Sequence, residues 1–314
     1  MEPVQDIHSP KEINPKINPK KFKPKPYNGH FFWKTAWRAI TRKKSRLVGF
    51  LIILMFIVMA IVGPWMYPKQ LPIDPNAIFA PISWKYPLGT DFEGTSNLAL
   101  IITGARYVLS AAAMGALFTV VIGTVLGLVA GYFVGWSDSI IMRITDFFLT
   151  VPAFPLLVVL STIWNFGQPI AMGFVLGITG WGGLARAVRS QTLSLRERGF
   201  IEAARGLRLS SFYILFREIL PNVSSYIGMN LLTSVTGCIY AEVGLFFLGV
   251  VPFHVSNWGV MLNLAVFSAG AMSSAEALPY LLSPLLALLL LTLGIVLFLD
   301  AIDEMFNPRL KEDI

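Results

Sequence analysis

Few side chains in this sequence could make or break a bond. Its three histidines, His8, His30 and His254, are scattered, and its single cysteine, Cys238, sits inside an apolar run. No group of them has metal-ligand spacing, and one cysteine allows no disulfide within the chain. There is no G-x-x-x-x-G-K-[ST] loop to cradle a nucleotide phosphate and no dinucleotide fingerprint. No Ser/His/Asp set suits nucleophilic catalysis. The expectation is a chain that is not itself an enzyme and holds neither metal nor cofactor of its own.

Between the apolar runs, charge is instead gathered in one place. Arg186, Arg189, Arg196, Arg198, Arg205, Arg208 and Arg217 fall between 185 and 222. At the bilayer centre each arginine would cost roughly 2.5–3.5 kcal/mol on insertion scales. The segment is therefore expected outside hydrocarbon, on the cytoplasmic side. Its densest part, 196–222, contains Glu202-Ala203-Ala204-Arg205-Gly206-Leu207-Arg208 and ends in Leu220-Pro221-Asn222. Good helix formers open it, Leu209-Ser210-Ser211 breaks it, and Phe212 to Ile219 form a second short helix that Leu220-Pro221 is expected to close. Two short helices at an angle, with charged edges, make a docking surface.

A second pattern follows directly. Tyr226, Asn230, Thr233, Gly237 and Tyr240 recur at spacings of 4, 3, 4 and 3, one face of a helix. This polar, uncharged, partly aromatic stripe would line an aqueous pathway for a peptide backbone or a sugar; interhelical hydrogen bonding and close packing is the alternative. Glu242 lies toward the outer end of the same helix. Together with Trp258, and with Asp91 and Glu93 in an outer loop, it is a candidate gate or outer-face contact, and a structural hydrogen bond to a neighbouring loop explains Glu242 equally well.

The elements that position these residues are apolar. The 314-residue chain is 55% hydrophobic and 14% charged, against about 25% charged in an ordinary soluble domain. Runs of about 18 or more apolar residues recur, so the fold is expected to be all-α, a polytopic membrane protein with six transmembrane helices. The spans read as 47–66, 107–132, 147–164, 170–184, 224–248 and 279–299, with the third kinked at Pro152 and Pro155. Gly123, Gly127 and Gly131 form a small-residue ridge along the second span, for close approach by another helix.

Outside the spans, 1–30 is a Pro/Lys/Asn-rich cytoplasmic tail. Residues 31–46 alternate aromatics and cations as an interfacial amphipathic helix, and 67–106 is an extracellular loop. Residues 107–300 are the core, and 301–314 a C-terminal tail. The net charge of +7 does not point to nucleic acid. Residues 1–46 carry twelve Lys and Arg against three acids, so the basic excess is a juxtamembrane tail suited to anionic membrane lipid. Lys and Arg favour the flanks that share a side with the 185–222 segment, which places both termini in the cytoplasm.

Taken with its spacing, Glu202-Ala203-Ala204 … Ile219-Leu220-Pro221-Asn222 resembles the coupling segment of ABC importer permeases. Leu88-Gly89-Thr90-Asp91 with Gly104-Ala105-Arg106, then Asp138, Met142-Arg143 and Asp146, then Ala241-Glu242 with Phe247-Leu248-Gly249 and Trp258-Gly259, extend the likeness over roughly residues 30–310. The whole is similar to the C-type permease subunit of the dipeptide/oligopeptide/nickel importer family. The resemblance implies the type I importer permease fold. It also implies a second permease subunit, two ATP-binding subunits that carry ATP and Mg, and an extracellular substrate-binding protein. Glu202, Ala203, Ala204, Gly206, Arg208, Leu220 and Pro221 would then receive the ATPases, whose closure would swing spans three to five as rigid rods.

Three departures stand out. Arg208 replaces a usual glycine, Phe92-Glu93-Gly94 replaces a usual Gly-Arg-Asp after Asp91, and Asp303 replaces a usual Arg. Peptides are the first expectation for the solute, with oligosaccharides or nickel as alternatives. A proton-coupled secondary transporter is the competing class; it should show ionisable groups within its spans, and here these are nearly absent.

Overall fold

A computed structural model describes residues 36–68, 70–163, 168–253 and 256–306. The 1–30 tail, His254 and the C-terminal Arg309 and Lys311 lie outside the described residues. Those described are almost entirely helical, with a single antiparallel bridge between Thr90 and Ser96.

The helices are α1 (36–41), α2 (Lys44–Met66), α3 (Asn97–Tyr132), α4 (Trp136–Thr150), α5 (Ala153–Ile163), α6 (Pro169–Arg196), α7 (Gly199–Gly206), α8 (Ser211–Phe247), α9 (Trp258–Ser268) and α10 (Leu278–Phe306). Five of them, α2, α3, α6, α8 and α10, are long and apolar enough to cross a membrane, and α4 with α5 makes a sixth if that bent pair is one span.

The core is built on α3 against α6, with α8 packed across both and α2 and α10 on the outside. Small residues set the α3–α6 distance. A Cβ at Gly127 would lie 2.6 Å from the Ala185 carbonyl oxygen, and one at Gly177 would lie 2.4 Å from Phe118 Cβ. The small-residue ridge of the sequence therefore packs against α6. At the other edge, Ala36, Ala39 and Ile40 of α1 are buried against Ala301 and Met305 of α10, and Arg46 and Arg42 pair there with Glu304.

Four boundaries differ from the sequence reading. The outer loop ends at 96, because residues 97–106 already belong to α3. The third span is not a kinked rod: α4 and α5 meet at 87° across Val151-Pro152. α6 does not stop at 184 but runs to Arg196, since arginine is a good helix former and needs no lipid. Pro221 does not close a helix either. The chain stays helical from Ser211 to Phe247 through a wide π turn at Ile214–Ile219, in which the Leu220 amide donates to the Leu215 carbonyl. The widened turn accommodates the proline ring and its missing N–H.

Candidate coupling surface and outer cleft

Two arginines of the 185–222 segment are structural. Arg189 makes a bidentate pair with Asp138 of α4 at 2.5 and 2.6 Å, and Arg186 reaches Asp146 at 2.6 Å. They tie α4 along α6. The Arg189 pair is the better shielded, with side-chain exposures of 29% and 13% against 56% and 60% for the other. Arg205 lies over the Tyr132 ring, 5.3 Å from its centroid, and Arg196 donates to the Tyr132 carbonyl. The charge count alone gave no sign of these partners on α3 and α4.

The short α7 is fixed by burial of one edge. Ile201 and Ala204 pack with Ile214, Leu215, Ile219 and Val223 of α8 and with Leu128, Leu184 and Val188 of α3 and α6. Glu202, Ala203 and Gly206 are on the exposed edge. The helix ends in a Schellman motif: the Leu209 amide donates to the Ala204 carbonyl at 3.2 Å and the Arg208 amide to Arg205 at 2.8 Å. Arg208 is its left-handed residue, with φ +54°. The bend thus falls where a glycine is usual in the resembled family, and here an L-residue adopts it; Gly206 does not share it. Ser210 then caps α8, accepting from the Tyr213 amide at 3.2 Å. The turn leaves Leu207 75% and Phe212 70% exposed, with the Phe212 and Phe216 rings 4.4 Å apart and tilted by 33°. Leu220 is half-buried and Pro221 exposed.

Along α8 the stripe is open only in its later part, because Tyr226 packs against the cluster of Ile201, Ile214, Ile219 and Val223. Thr233, Gly237 and Tyr240 are exposed, Tyr226 and Asn230 half-buried, and no atom would touch a Cβ at Gly237. Asn230 donates to the Tyr226 carbonyl and Thr233 to that of Met229; Tyr240 shares a 2.9 Å hydrogen bond with Thr292 of α10. Asp303, the departure near the end of α10, accepts from Ser225 at 2.6 Å.

The outer candidates separate. Asp91 is only 4% exposed, so it is no surface contact. Its Oδ1 accepts the amides of Thr95 at 2.7 Å and Glu93 at 2.9 Å and holds the loop together. Burial pushes its carboxyl above the ordinary 3.8, with those amides pulling the other way. Glu93 is exposed. Glu242 and Trp258 are fully buried. Asn257 donates to Glu242 at 2.6 Å and accepts from the Gly259 amide, while Trp258 Nε1 donates to the Ile101 carbonyl at 3.0 Å. Of the two readings of Glu242, the geometry matches the bond to a neighbouring loop, made through Asn257, a loop residue that was not among the candidates. Asp91, Glu93, Asn257, Phe253 and Tyr280 line a cleft of about 460 Å³.

Residues 123–312 match the family model of the binding-protein-dependent transport system inner membrane component. The chain belongs to this family. Residues 32–99 match the N-terminal TM domain of oligopeptide transport permease C. Over 287 residues, 90% of each chain, the sequence is 32% identical to an oligopeptide transport system permease protein of Haemophilus influenzae. It is 33% identical to a dipeptide transport system permease protein of Bacillus subtilis over 73% of this chain and 72% of the relative. A glutathione transport system permease protein of Pectobacterium atrosepticum is 31% identical over 89% and 92%. The chain is thus a multi-pass membrane permease subunit of an ABC importer, a transport component and not a catalyst.

Proposed function

We propose that this permease subunit forms half of a pore that imports di- or oligopeptides. The observation that carries the reading is the α7–α8 turn, which holds Leu207 and Phe212 in the open on the most charged stretch between the apolar spans. Covering a large apolar side chain is worth about 1.5–3 kcal/mol, and a partner seated there gains it. One of two ATP-binding subunits, which carry ATP and Mg, would cover this turn, with Glu202, Ala203, Ala204, Gly206 and Arg208 on the contact and Leu220 and Pro221 behind it. A second permease subunit would close the pathway along Tyr226, Asn230, Thr233, Gly237 and Tyr240. An extracellular substrate-binding protein would meet the face that carries Glu93. Both termini would lie in the cytoplasm.

The relatives' transport of oligopeptides, dipeptides and glutathione, as their names state, supports a peptide solute. The test is ATP-driven uptake of a labelled dipeptide into proteoliposomes holding the full complex. Glu202→Lys and Gly206→Pro should each leave assembly and basal ATP hydrolysis in place and abolish uptake. Normal uptake in both variants would overturn the coupling role, and saturable uptake of an oligosaccharide or nickel in place of the peptide would overturn the solute.

A further inference from the structure

Arg106 stands on α3, a membrane-crossing helix, and is exposed. Among the described residues its guanidinium has no ion pair or hydrogen bond, whereas Arg42, Arg46, Arg186 and Arg189 all have carboxylates. Arg106 lines two clefts. One, of about 420 Å³, lies between α2 and α3 and is walled by Ile57, Ala60, Ile61, Leu109 and Trp65. The other, of about 330 Å³, brings Tyr67 and Thr103 to the same arginine.

Its depth follows from helix length. Tyr132, at the coupling end of α3, is 26 residues further on, or about 39 Å at 1.5 Å per residue. A hydrocarbon core is about 30 Å thick, and about 40–45 Å with its headgroups. With the Tyr132 end at one headgroup layer, Arg106 falls in the other. Trp65 is 82% exposed beside it, as an interfacial tryptophan would be. Ile57 and Ile61 continue the groove from Arg106 toward the bilayer interior, and both are exposed.

We infer that this groove is a phospholipid site, with the phosphate on Arg106 and an acyl chain along Ile57, Ala60, Ile61 and Leu109. An unpaired cation at headgroup depth above an apolar trough matches a molecule that is anionic at one end and hydrocarbon below. The inference rests on the membrane-spanning fold and not on the peptide reading.

Native mass spectrometry of the full-length chain, purified in detergent with its associated subunits, tests it. Phosphatidylglycerol should remain bound, while a diacylglycerol of the same chains, which lacks the phosphate, should not. Arg106→Gln should weaken phosphatidylglycerol binding roughly tenfold, the loss of one charge-assisted contact. Ala60→Phe, which fills the trough and leaves the arginine, should weaken it as well. Equal retention of diacylglycerol, or unchanged binding in either variant, would overturn the site. Displacement of the lipid by millimolar inorganic phosphate would overturn the lipid in favour of a free-anion site.

Discussion

Replacing Arg208 with glycine should tighten the turn between α7 and α8. Arg208 holds φ +54° as the left-handed residue of the Schellman motif. For an L-residue that conformation costs roughly 1–2 kcal/mol. Glycine removes this cost and returns about 0.5–1 kcal/mol through the greater freedom of the unfolded chain. The net gain is about 0.5–1 kcal/mol, a factor of about 2–5 in the equilibrium for local opening. Hydrogen exchange reads that equilibrium at the Leu209 amide, whose acceptor is the Ala204 carbonyl. Arg208→Gly should slow its exchange by that factor. Arg208→Val, β-branched and poorly tolerated at positive φ, should speed it by about fivefold or more. Faster exchange in the glycine variant, or slower exchange in the valine variant, would refute the assignment of strain to this residue. If the arginine side chain also grips an ATPase, the glycine variant would combine a better-ordered turn with reduced uptake.

Gly177→Ala should destabilise the α3–α6 pair by about 1–3 kcal/mol through overpacking, since the new Cβ meets Phe118 Cβ at 2.4 Å. Thermal unfolding in detergent would show it, with Gly183→Ala, where nothing lies within 4 Å, as the neutral control. Asp91 makes the outer loop pH-dependent. Its carboxyl is pushed above 3.8 by burial, so its stabilising share is fully present below about pH 3.8 and is lost as pH rises through the raised value. Asp91→Asn keeps the Oδ1 acceptor for Thr95 and Glu93 and should flatten that dependence, read as exchange of the Thr95 amide corrected for its intrinsic pH dependence. A double-mutant cycle on Asp138→Asn and Arg189→Gln should give a coupling of about 1–2 kcal/mol, and the same cycle on the more exposed Asp146 and Arg186 under about 1.

Hydropathy located five of the six spans because it measures where lipid lies, but helices end where hydrogen bonds do. Hence α6 passes its apolar limit at 184 and continues through Arg186, Arg189 and Arg196. Prolines were the hardest residues to read. Pro152 accompanies an 87° bend, Pro64 and Pro284 sit inside long helices, and Pro221 is absorbed by a π turn. What a proline does depends on whether the preceding turn can widen or the neighbours can supply its lost contacts, and both are tertiary facts. Glu242 and Asp91 were legible as notable carboxylates, but their burial was not. Their partners Asn257 and Thr95 come from loop geometry that no periodicity encodes.

The continuity of α8 alters how the coupling segment is understood. Read from sequence, it is two short helices followed by a separate span. In the structure the second short helix is the first two turns of the span itself, so one helix carries exposed Phe212 at one end and buried Glu242 at the other. Thirty residues separate them, about 45 Å along the axis. α7 is pinned to this rod by Ile201 and Ala204, inside the same cluster that holds Leu184 and Val188 of α6. In the proposed mechanism a partner that moves the turn therefore moves α6 and α8 together, and with them Tyr226 to Tyr240. The π turn at Ile214–Ile219 is the one irregularity between the docking end and the stripe. In that mechanism the stiffness of this single turn, with Leu215 and Ile219 packed beneath α7, would decide how much of a displacement at Phe212 arrives at Tyr240.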